Sequence, residues 1–147
     1  MSIMSYSEKV LIIDDEQEFT KALAERMTNR GMTVSTSSSA IEGLKAVDEK
    51  SFDVVVLDLQ MPEMDGLETL KILKNKKPEL QVILLTGYAT VKKGIEAMKL
   101  GAMDLLEKPA DVTTLTEKIK KAQAQKMILV EKKAEERIKV IMETRGW

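Results

Sequence analysis

The feature that most constrains the fold is an alternation of short apolar runs with longer segments of helical periodicity. The runs at 53–59 and 80–86 are apolar at most positions and rich in β-branched residues. This pattern is typical of strands buried on both faces, in a parallel sheet that helices cover on two sides. Five runs are predicted as strands: 9–13, 32–37, 53–59, 80–86 and 103–108. We therefore predict an α/β fold with a five-stranded, doubly wound parallel sheet.

The segments between these runs repeat apolar residues every three or four positions, as amphipathic helices do. Phe19, Leu23 and Met27 form the first such stripe, and Gly31 is placed to end that helix. The next stripes are Ile41, Leu44 and Val47; Leu67, Leu70 and Leu73; and Val91, Ile95 and Met98. Each predicted strand is thus followed by a predicted helix.

The composition excludes several classes of function. With 147 residues, 44% of them apolar, the chain suits one globular domain. Its 23 basic and 24 acidic residues argue against nucleic-acid binding, which favours a strongly basic surface. The absence of cysteine excludes disulfides and thiolate zinc sites, and the absence of histidine removes the commonest general base. We expect a cytoplasmic protein, because the sequence has neither a membrane-length apolar run nor a signal peptide.

Polar residues stand where the predicted strands end. The first strand ends in Asp14 and Asp15, the third in Asp58, the fourth in Thr86 and the fifth in Lys108. Ligands of an open parallel sheet bind beyond the carboxyl ends of its strands, so these side chains are expected to converge. Crowded carboxylates without histidine or cysteine favour Mg²⁺, and a lysine and a hydroxyl suit phosphate oxygens. The pattern predicts phosphoryl transfer to an aspartate.

The same motifs identify a resemblance to a known family. Asp14 and Asp15, Asp58 followed by "MPEMDG", Thr86, and the pair Lys108-Pro109 occur in the order seen in receiver domains of two-component response regulators. With the stretches "LTGYAT" and "DLLEKP", this part of the chain looks most like receivers of the nitrogen-regulatory type. The resemblance implies a (βα)5 flavodoxin-like, three-layer sandwich of the chemotaxis-regulator kind.

The resemblance also implies a magnesium-dependent phosphoacceptor. Asp58 resembles the residue that takes the phosphoryl group. Asp15, Asp58 and the backbone carbonyl of Gln60 resemble the direct Mg²⁺ ligands, and Asp14 resembles the acid that acts on the ion through water. The phosphoryl donor would be a phosphohistidine on a partner sensor histidine kinase.

Three further residues take roles by the same resemblance. Lys108 resembles the lysine that pairs with the phosphoryl group, and Thr86 the hydroxyl that moves to bind it. The Lys108-Pro109 peptide is expected to be cis. The side formed by the fourth helix, fifth strand and fifth helix would carry the output. Such a domain would assist its own phosphorylation and dephosphorylation without being a general enzyme.

The chain departs from the family pattern at the switch residue. An aromatic side chain is common three positions before the lysine, and Leu105 stands there. Coupling of Thr86 to an inward-swinging ring is therefore in question, and Tyr88 is a candidate for a related role at the rim. Glu16, the third acid after the first strand, receives no ligand role and is interpreted as a helix-start residue.

Each motif also has a structural interpretation. Asp14 and Asp15 could simply begin the first helix, Asp58 could cap a strand end, Thr86 could cap the next helix, and Lys108 could be a surface lysine. The alternative function is a pseudo-receiver, a phosphorylation-independent interaction or dimerisation module.

Other phosphate chemistries fit the motifs poorly. A haloacid-dehalogenase-type phosphatase needs a second acid two residues after the nucleophile, and Gln60 stands there. The stretch beginning at Gly87 resembles a P-loop only superficially. Three acids follow the first strand, where a dinucleotide fold needs a glycine-rich turn for its pyrophosphate.

The C-terminal part of the chain is longer than a receiver needs. We place the receiver domain at 8–124 and a helical extension at 125–147. No Gly or Pro occurs between Asp111 and Gly146, so one helix from Val112 to about residue 144 is predicted, with its second half unable to reach the domain core. Its apolar stripe would support a parallel homodimer or connect to an output domain or downstream protein. The alternative is a helix that folds back on its own domain.

Overall fold

The computed structural model describes residues 7–87 and 90–145, and within them five strands alternate with five helices. The elements are β1 (Lys9–Ile13), α1 (Gln17–Asn29), β2 (Thr33–Ser37), α2 (Ala40–Glu49), β3 (Val54–Asp58), α3 (Gly66–Lys76), β4 (Gln81–Thr86), α4 (Val91–Lys99), β5 (Asp104–Glu107) and α5 (Val112–Thr144). All strand pairs are parallel, in the order β2-β1-β3-β4-β5. The predicted doubly wound α/β fold is confirmed.

The sheet has a separate apolar core on each face. Side chains of successive strand residues point to opposite faces, so Leu11 and Leu57 belong to one core and Ile12 and Val56 to the other. The first core contains residues of α2, α3 and α4, among them Ala40, Val47, Leu70, Leu73 and Ala97. The second contains residues of α1 and α5: Leu23, Met27, Leu115, Ile119 and Ala122. Helices α2 to α4, the sheet, and α1 with α5 therefore form three layers, as the resemblance implied.

The order of the strands creates a crevice at the carboxyl ends of β1 and β3. The chain runs from β1 to the edge strand β2, then returns across β1 to form β3, so connections leave β1 and β3 in opposite directions. Ile13 of β1 pairs with Leu57 of β3, which brings the residues after them side by side. Such a switch point is where open α/β sheets bind ligands.

The turn after β3 is held by close backbone packing. A Cβ atom on Gly66 would lie 2.4 Å from the Cα atom of Leu59, so α3 can begin here only on a glycine. The side chain of Asp65 caps this helix by accepting a hydrogen bond from the Leu67 N–H at 3.2 Å. The "MPEMDG" motif therefore fixes the loop that follows Asp58.

Helix α5 is about 50 Å long in all, at 1.5 Å per residue, and it continues without a break beyond the domain. Its extension contacts the end of the sheet opposite the crevice: Lys126 Nζ donates to Phe52 O at 3.0 Å and lies 3.1 Å from Asp53 Oδ1. One to two turns later, Lys133 Nζ lies 2.8 Å from Glu79 Oε1. The second half of the helix was expected not to reach the domain core; Lys133 lies within ion-pair distance of the loop before β4, at the surface of the domain, and neither core contains a residue of that half.

The last part of α5 is exposed throughout. Residues 134–145 are all solvent-exposed, and the helix does not fold back on the domain. The expected boundary between residues 124 and 125 falls inside this continuous helix. Neither α5 nor any other helix in the described residues is long and apolar enough to cross a membrane.

Candidate functional site

The predicted site residues are delivered to one rim by four strands. Asp14 follows β1, Asp58 ends β3, Thr86 ends β4, and Lys108 follows β5. Asp14, Asp58 and Thr86 are buried, although each is polar. Buried polar groups are costly unless they are paired, so their clustering points to a functional site rather than to a packing role alone.

Lys108 lies at the centre of this cluster and contacts its acidic residues. Its Nζ atom lies close to three carboxylates, namely Asp14 Oδ2 at 2.8 Å, Glu16 Oε1 at 2.7 Å and Asp58 Oδ2 at 3.5 Å. The same nitrogen lies 4.5 Å from the centroid of the Phe19 ring. Its side chain is only 11% exposed, so the interpretation of Lys108 as an ordinary surface lysine is wrong.

Two backbone features hold Lys108 in place. The peptide bond between Lys108 and Pro109 is cis, as the resemblance implied. The Lys108 N–H donates to Thr86 O at 2.7 Å, which fastens the end of β5 to the end of β4. Burial alone would lower the pKa of Lys108, but hydrogen bonds to Asp14 and Glu16 outweigh it and raise the pKa above its ordinary value. The lysine is therefore a permanent cation of the site.

Asp58 has the properties of a reactive carboxylate. Burial raises its pKa to about 6, and the charge of Asp14 acts in the same direction. The Gln60 N–H donates to Asp58 Oδ1 at 3.0 Å and, with Lys108, opposes that rise. One oxygen of Asp58 thus stabilises the local turn while the other faces Lys108, so the strand-cap interpretation is compatible with a site role, which stays a prediction.

Glu16 lies in the site, which the sequence interpretation missed. It occupies the N-cap position of α1, as expected, but its side chain makes no capping hydrogen bond and binds Lys108 instead. The signal was its place two residues after Asp14: the Glu16 N–H donates to Asp14 Oδ1 at 2.9 Å in a tight turn that carries Glu16 to the rim. The α1 helix begins after Glu16, so Asp14 and Asp15 do not serve as its first residues.

A divalent cation fits the acidic residues of the rim. Among the described residues, carboxylate oxygens of Asp14, Glu16 and Asp58 lie within 4.8 Å of one another. Three carboxylates against one lysine leave an excess of negative charge, and hard oxygen ligands suit Mg²⁺. Asp15 is exposed and lies outside this group, so its role as a ligand stays a prediction, as does that of the Gln60 carbonyl.

The predicted switch residues have different outcomes. Thr86 is fully buried at the end of β4, and α4 is capped by Thr90, whose hydroxyl accepts from the Lys93 N–H; the helix-cap interpretation of Thr86 is therefore wrong. Leu105 packs between β5 and α4, with Cδ2 3.7 Å from the position that a Cβ on Gly94 would take. Tyr88 lies outside the described residues.

Gln60 lies beside the turn that follows β4. Its Oε1 atom is 3.6 Å from where a Cβ on Gly87 would be, so its side chain borders the entrance to the site next to Thr86.

Comparison with known proteins points to one family. The response regulator receiver domain family matches residues 10–120. The photosynthetic apparatus regulatory protein RegA of Cereibacter sphaeroides is 34% identical over 107 residues, which are 73% of this chain and 58% of RegA. A putative NtrX-like response regulator of Rickettsia typhi is 35% identical over 115 residues, 77% of this chain and 24% of that protein. The chain thus spans only part of these relatives.

A solved structure supports the same assignment. A response regulator receiver domain protein from Clostridium thermocellum is 36% identical, with a TM-score of 0.79, over 83% of this chain and 98% of its own. The family match at residues 10–120 contains β1 from Val10 onward, β2 to β5, and the rim from Asp14 to Lys108. The chain therefore belongs to the receiver domain family of two-component response regulators.

Proposed function

We propose that this chain accepts a phosphoryl group on Asp58 from a phosphohistidine of a partner sensor histidine kinase. The observation that carries the proposal is the contact of Lys108 Nζ with Asp58 Oδ2 at 3.5 Å and with Asp14 Oδ2 at 2.8 Å, on the crevice side of the sheet. Asp58 is buried beside a lysine that can bind a phosphoryl oxygen, which is the arrangement that acyl-phosphate formation needs.

The transfer is a substitution at phosphorus. An oxygen of Asp58 forms a bond to the phosphorus, the bond from phosphorus to the histidine nitrogen of the donor breaks, and the nitrogen keeps the electron pair. Lys108 donates to the transferred oxygens, and the hydroxyl of Thr86 moves to do the same. The result is a population shift of α4, β5 and α5.

Magnesium is the cofactor of the proposal. Asp15, Asp58 and the Gln60 carbonyl would hold Mg²⁺, with Asp14 acting through water and Glu16 within reach. When bound, the ion neutralises carboxylate charge and polarises phosphoryl oxygens. The three carboxylates around Lys108 support this choice, because one positive lysine does not balance their negative charge.

The proposal is tested with a small phosphoryl donor. Acetyl phosphate with Mg²⁺ should add one phosphoryl group to the wild-type chain, seen by intact mass, and chelation of the ion should prevent it. Asp58→Asn should add none at this position. Acceptance at the same site by Asp58→Asn, with Mg²⁺ present, would overturn the assignment, and a wild-type chain that accepts no phosphoryl group would favour the pseudo-receiver alternative.

We further propose that the extension of α5 forms a parallel homodimer or leads to an output partner. Exposed apolar residues recur along it at spacings of three and four, and an unpartnered stripe of this kind favours helix pairing. The stripe contains Met127, Val130, Ala134, Ile138 and Ile141. Two helices can pair through this stripe without disturbing the domain, because residues 134–145 belong to neither apolar core.

Charge substitutions in the exposed stripe test this second proposal. In the full chain, Ile138→Lys with Ile141→Lys should shift sedimentation toward the monomer, because two charges would face the partner helix. Ile41→Lys is the matched control, since Ile41 is 64% exposed on α2, away from the stripe. Equal masses for wild type and the stripe variant would remove the homodimer.

Cytoplasmic location and output through α4 complete the proposal. The side chains of Val91, Ile95 and Met98 on α4 are exposed, which is unusual for apolar residues in such number and suits a partner surface. A formal net charge of -1 gives no support for direct nucleic-acid binding.

A further inference from the structure

We propose that Glu16 is a positioning residue that holds Lys108 in the unphosphorylated protein and competes with the incoming phosphoryl group for it. The inference rests on the proposed function, since it concerns how Lys108 becomes available to a phosphoryl group on Asp58. It assigns a role to an acid that the motif of the family does not include, and it follows from the contacts of Lys108 alone.

Carboxylates surround Lys108, and its ammonium group donates a hydrogen bond to Glu16 at 2.7 Å. An ammonium group has three N–H donors and no acceptor. Three carboxylate oxygens lie within 3.5 Å of Nζ, from Asp14, Glu16 and Asp58. The ring of Phe19 covers a further side of the same nitrogen at 4.5 Å. A phosphoryl oxygen on Asp58 therefore approaches a lysine that already faces Asp14 and Glu16, and it competes with them for the cation.

Glu16 is the partner that can leave at the lowest cost. The side chain of Asp14 is 2% exposed, so loss of Lys108 would leave a buried charge without its cation. The side chain of Glu16 is 62% exposed, and water can replace the lysine at its carboxylate. Asp58 is the acceptor itself and keeps its place beside Lys108 through the new phosphoryl group.

The backbone of Glu16 is fixed, so only its side chain needs to move. Its N–H donates to Asp14 Oδ1 at 2.9 Å, and its carbonyl accepts from the Thr20 N–H and hydroxyl, each at 3.0 Å. The carboxylate therefore swings on a rigid base at the start of α1. It can leave Lys108 and return to it without any change in the helix.

The test compares Glu16→Gln with Glu18→Gln. Both acids lie on the exposed start of α1, both changes remove one negative charge, and only Glu16 binds Lys108. The first measurement needs no phosphoryl donor and no Mg²⁺: trace acetic anhydride labels lysine amines, and mass spectrometry gives the labelling of Lys108 relative to exposed Lys92. The second is the rate at which acetyl phosphate and Mg²⁺ add a phosphoryl group to Asp58.

We expect Glu16→Gln to raise both the labelling of Lys108 and the rate of phosphorylation about two- to fivefold, because that factor corresponds to the loss of one exposed ion pair. Glu18→Gln should leave both at the wild-type level. Unchanged labelling in Glu16→Gln would show that Glu16 does not hold Lys108. Higher labelling with an equal or lower rate would show that the contact does not compete with phosphorylation. Equal acceleration by Glu18→Gln would reduce the effect to general charge repulsion.

Each of these three results overturns the inference and leaves the proposed function standing. A wild-type chain that takes no phosphoryl group on Asp58 overturns the proposed function, and the inference falls with it. The labelling and rate measurements together therefore separate the two failures.

Discussion

The two ends of the sheet each hold a buried aspartate bound by a lysine, and they differ in their balance of charge. At the carboxyl end, Lys108 faces Asp14, Glu16 and Asp58, so negative charge is in excess. At the opposite end, Lys126 of α5 meets one buried carboxylate. Excess negative charge needs a further cation to neutralise it, whereas an aspartate paired with one lysine does not. The comparison separates a site for chemistry from an anchor for a helix.

The anchor end is built around Asp53. Its Oδ2 atom accepts from the Lys9 N–H at 2.9 Å, while Oδ1 lies 3.1 Å from Lys126 Nζ. The carboxylate thereby connects the start of β1 to the extension of α5.

The largest expected difference concerns which aspartate accepts a phosphoryl group. Asp58→Asn should abolish acceptance from acetyl phosphate, because an amide is a poor nucleophile toward phosphorus. Asp53→Asn should retain acceptance, because Asp53 lies at the other end of the sheet. Intact mass after incubation with donor and Mg²⁺ checks both variants. A folded Asp53→Asn chain that accepts nothing would contradict the separation of the two ends.

Loss of the contact between Lys126 and Asp53 should lower the stability of the fold rather than phosphoryl acceptance. Lys126→Met leaves the carboxylate of Asp53 buried without its cation, and we expect the free energy of unfolding to fall by about 3 kcal/mol. Chemical denaturation measures the change, and phosphoryl acceptance should persist under native conditions. Lys132→Met is the control, because Lys132 is exposed on the same helix, and it should cost less than about 0.5 kcal/mol. Equal losses in the two variants would remove the anchor.

The carboxyl end should respond to Mg²⁺. A ligand that binds only the folded state stabilises it, by about 1.4 kcal/mol at ten times the dissociation constant. We expect Mg²⁺ to raise the melting temperature of the wild type and of Lys126→Met alike. Asp14→Asn should show a smaller increase, because one of the three clustered carboxylates is gone. An equal increase in Asp14→Asn would place the ion elsewhere.

The smallest effect is expected from the pair of Glu79 and Lys133, at the tip of the anchored part of α5. A hydrogen bond from Lys133 holds the pKa of Glu79 below its ordinary value of 4.5. Because the folded pKa is the lower one, the contribution is present above pH 4.5 and is lost as pH falls through the folded pKa. Lys133→Gln should cost under about 0.5 kcal/mol at pH 7, since Lys133 is mostly exposed.

Unfolding measured at several pH values tests whether Lys133 acts through Glu79. Denaturation of wild type and Lys133→Gln should give curves that converge as pH falls below 4.5. A difference that stays constant, or that grows toward acid pH, would show that Glu79 is not the partner through which Lys133 acts.

The fold was largely predictable because its signals are local. The run that became β3 is buried at each position, and the half-polar run that became β2 lies at an edge of the sheet. Residues at strand ends, such as Asp58 and Lys108, were predictable for the same reason, since a parallel sheet collects its carboxyl ends. Family resemblance added the cis bond before Pro109.

What the sequence did not reveal depends on side-chain direction and on distant contacts. Lys126 and Asp53 are separated by 73 positions, and nothing in the pattern of α5 distinguishes Lys126 from its other lysines. Glu16 was expected only to start a helix, because N-cap position predicts where the backbone goes and not which way a long side chain turns. Asp15, equal to Asp14 in the sequence, points to solvent.

The central claim is that Asp58 is the phosphoacceptor, and it is tested most directly by trapping the product. Borohydride reduces an acyl phosphate to an alcohol, so a phosphorylated aspartate becomes homoserine. After treatment with acetyl phosphate, Mg²⁺ and borohydride, peptide sequencing by mass spectrometry should find homoserine at position 58. Homoserine at position 53 or 14, or none in a chain that has gained a phosphoryl group, would contradict the account.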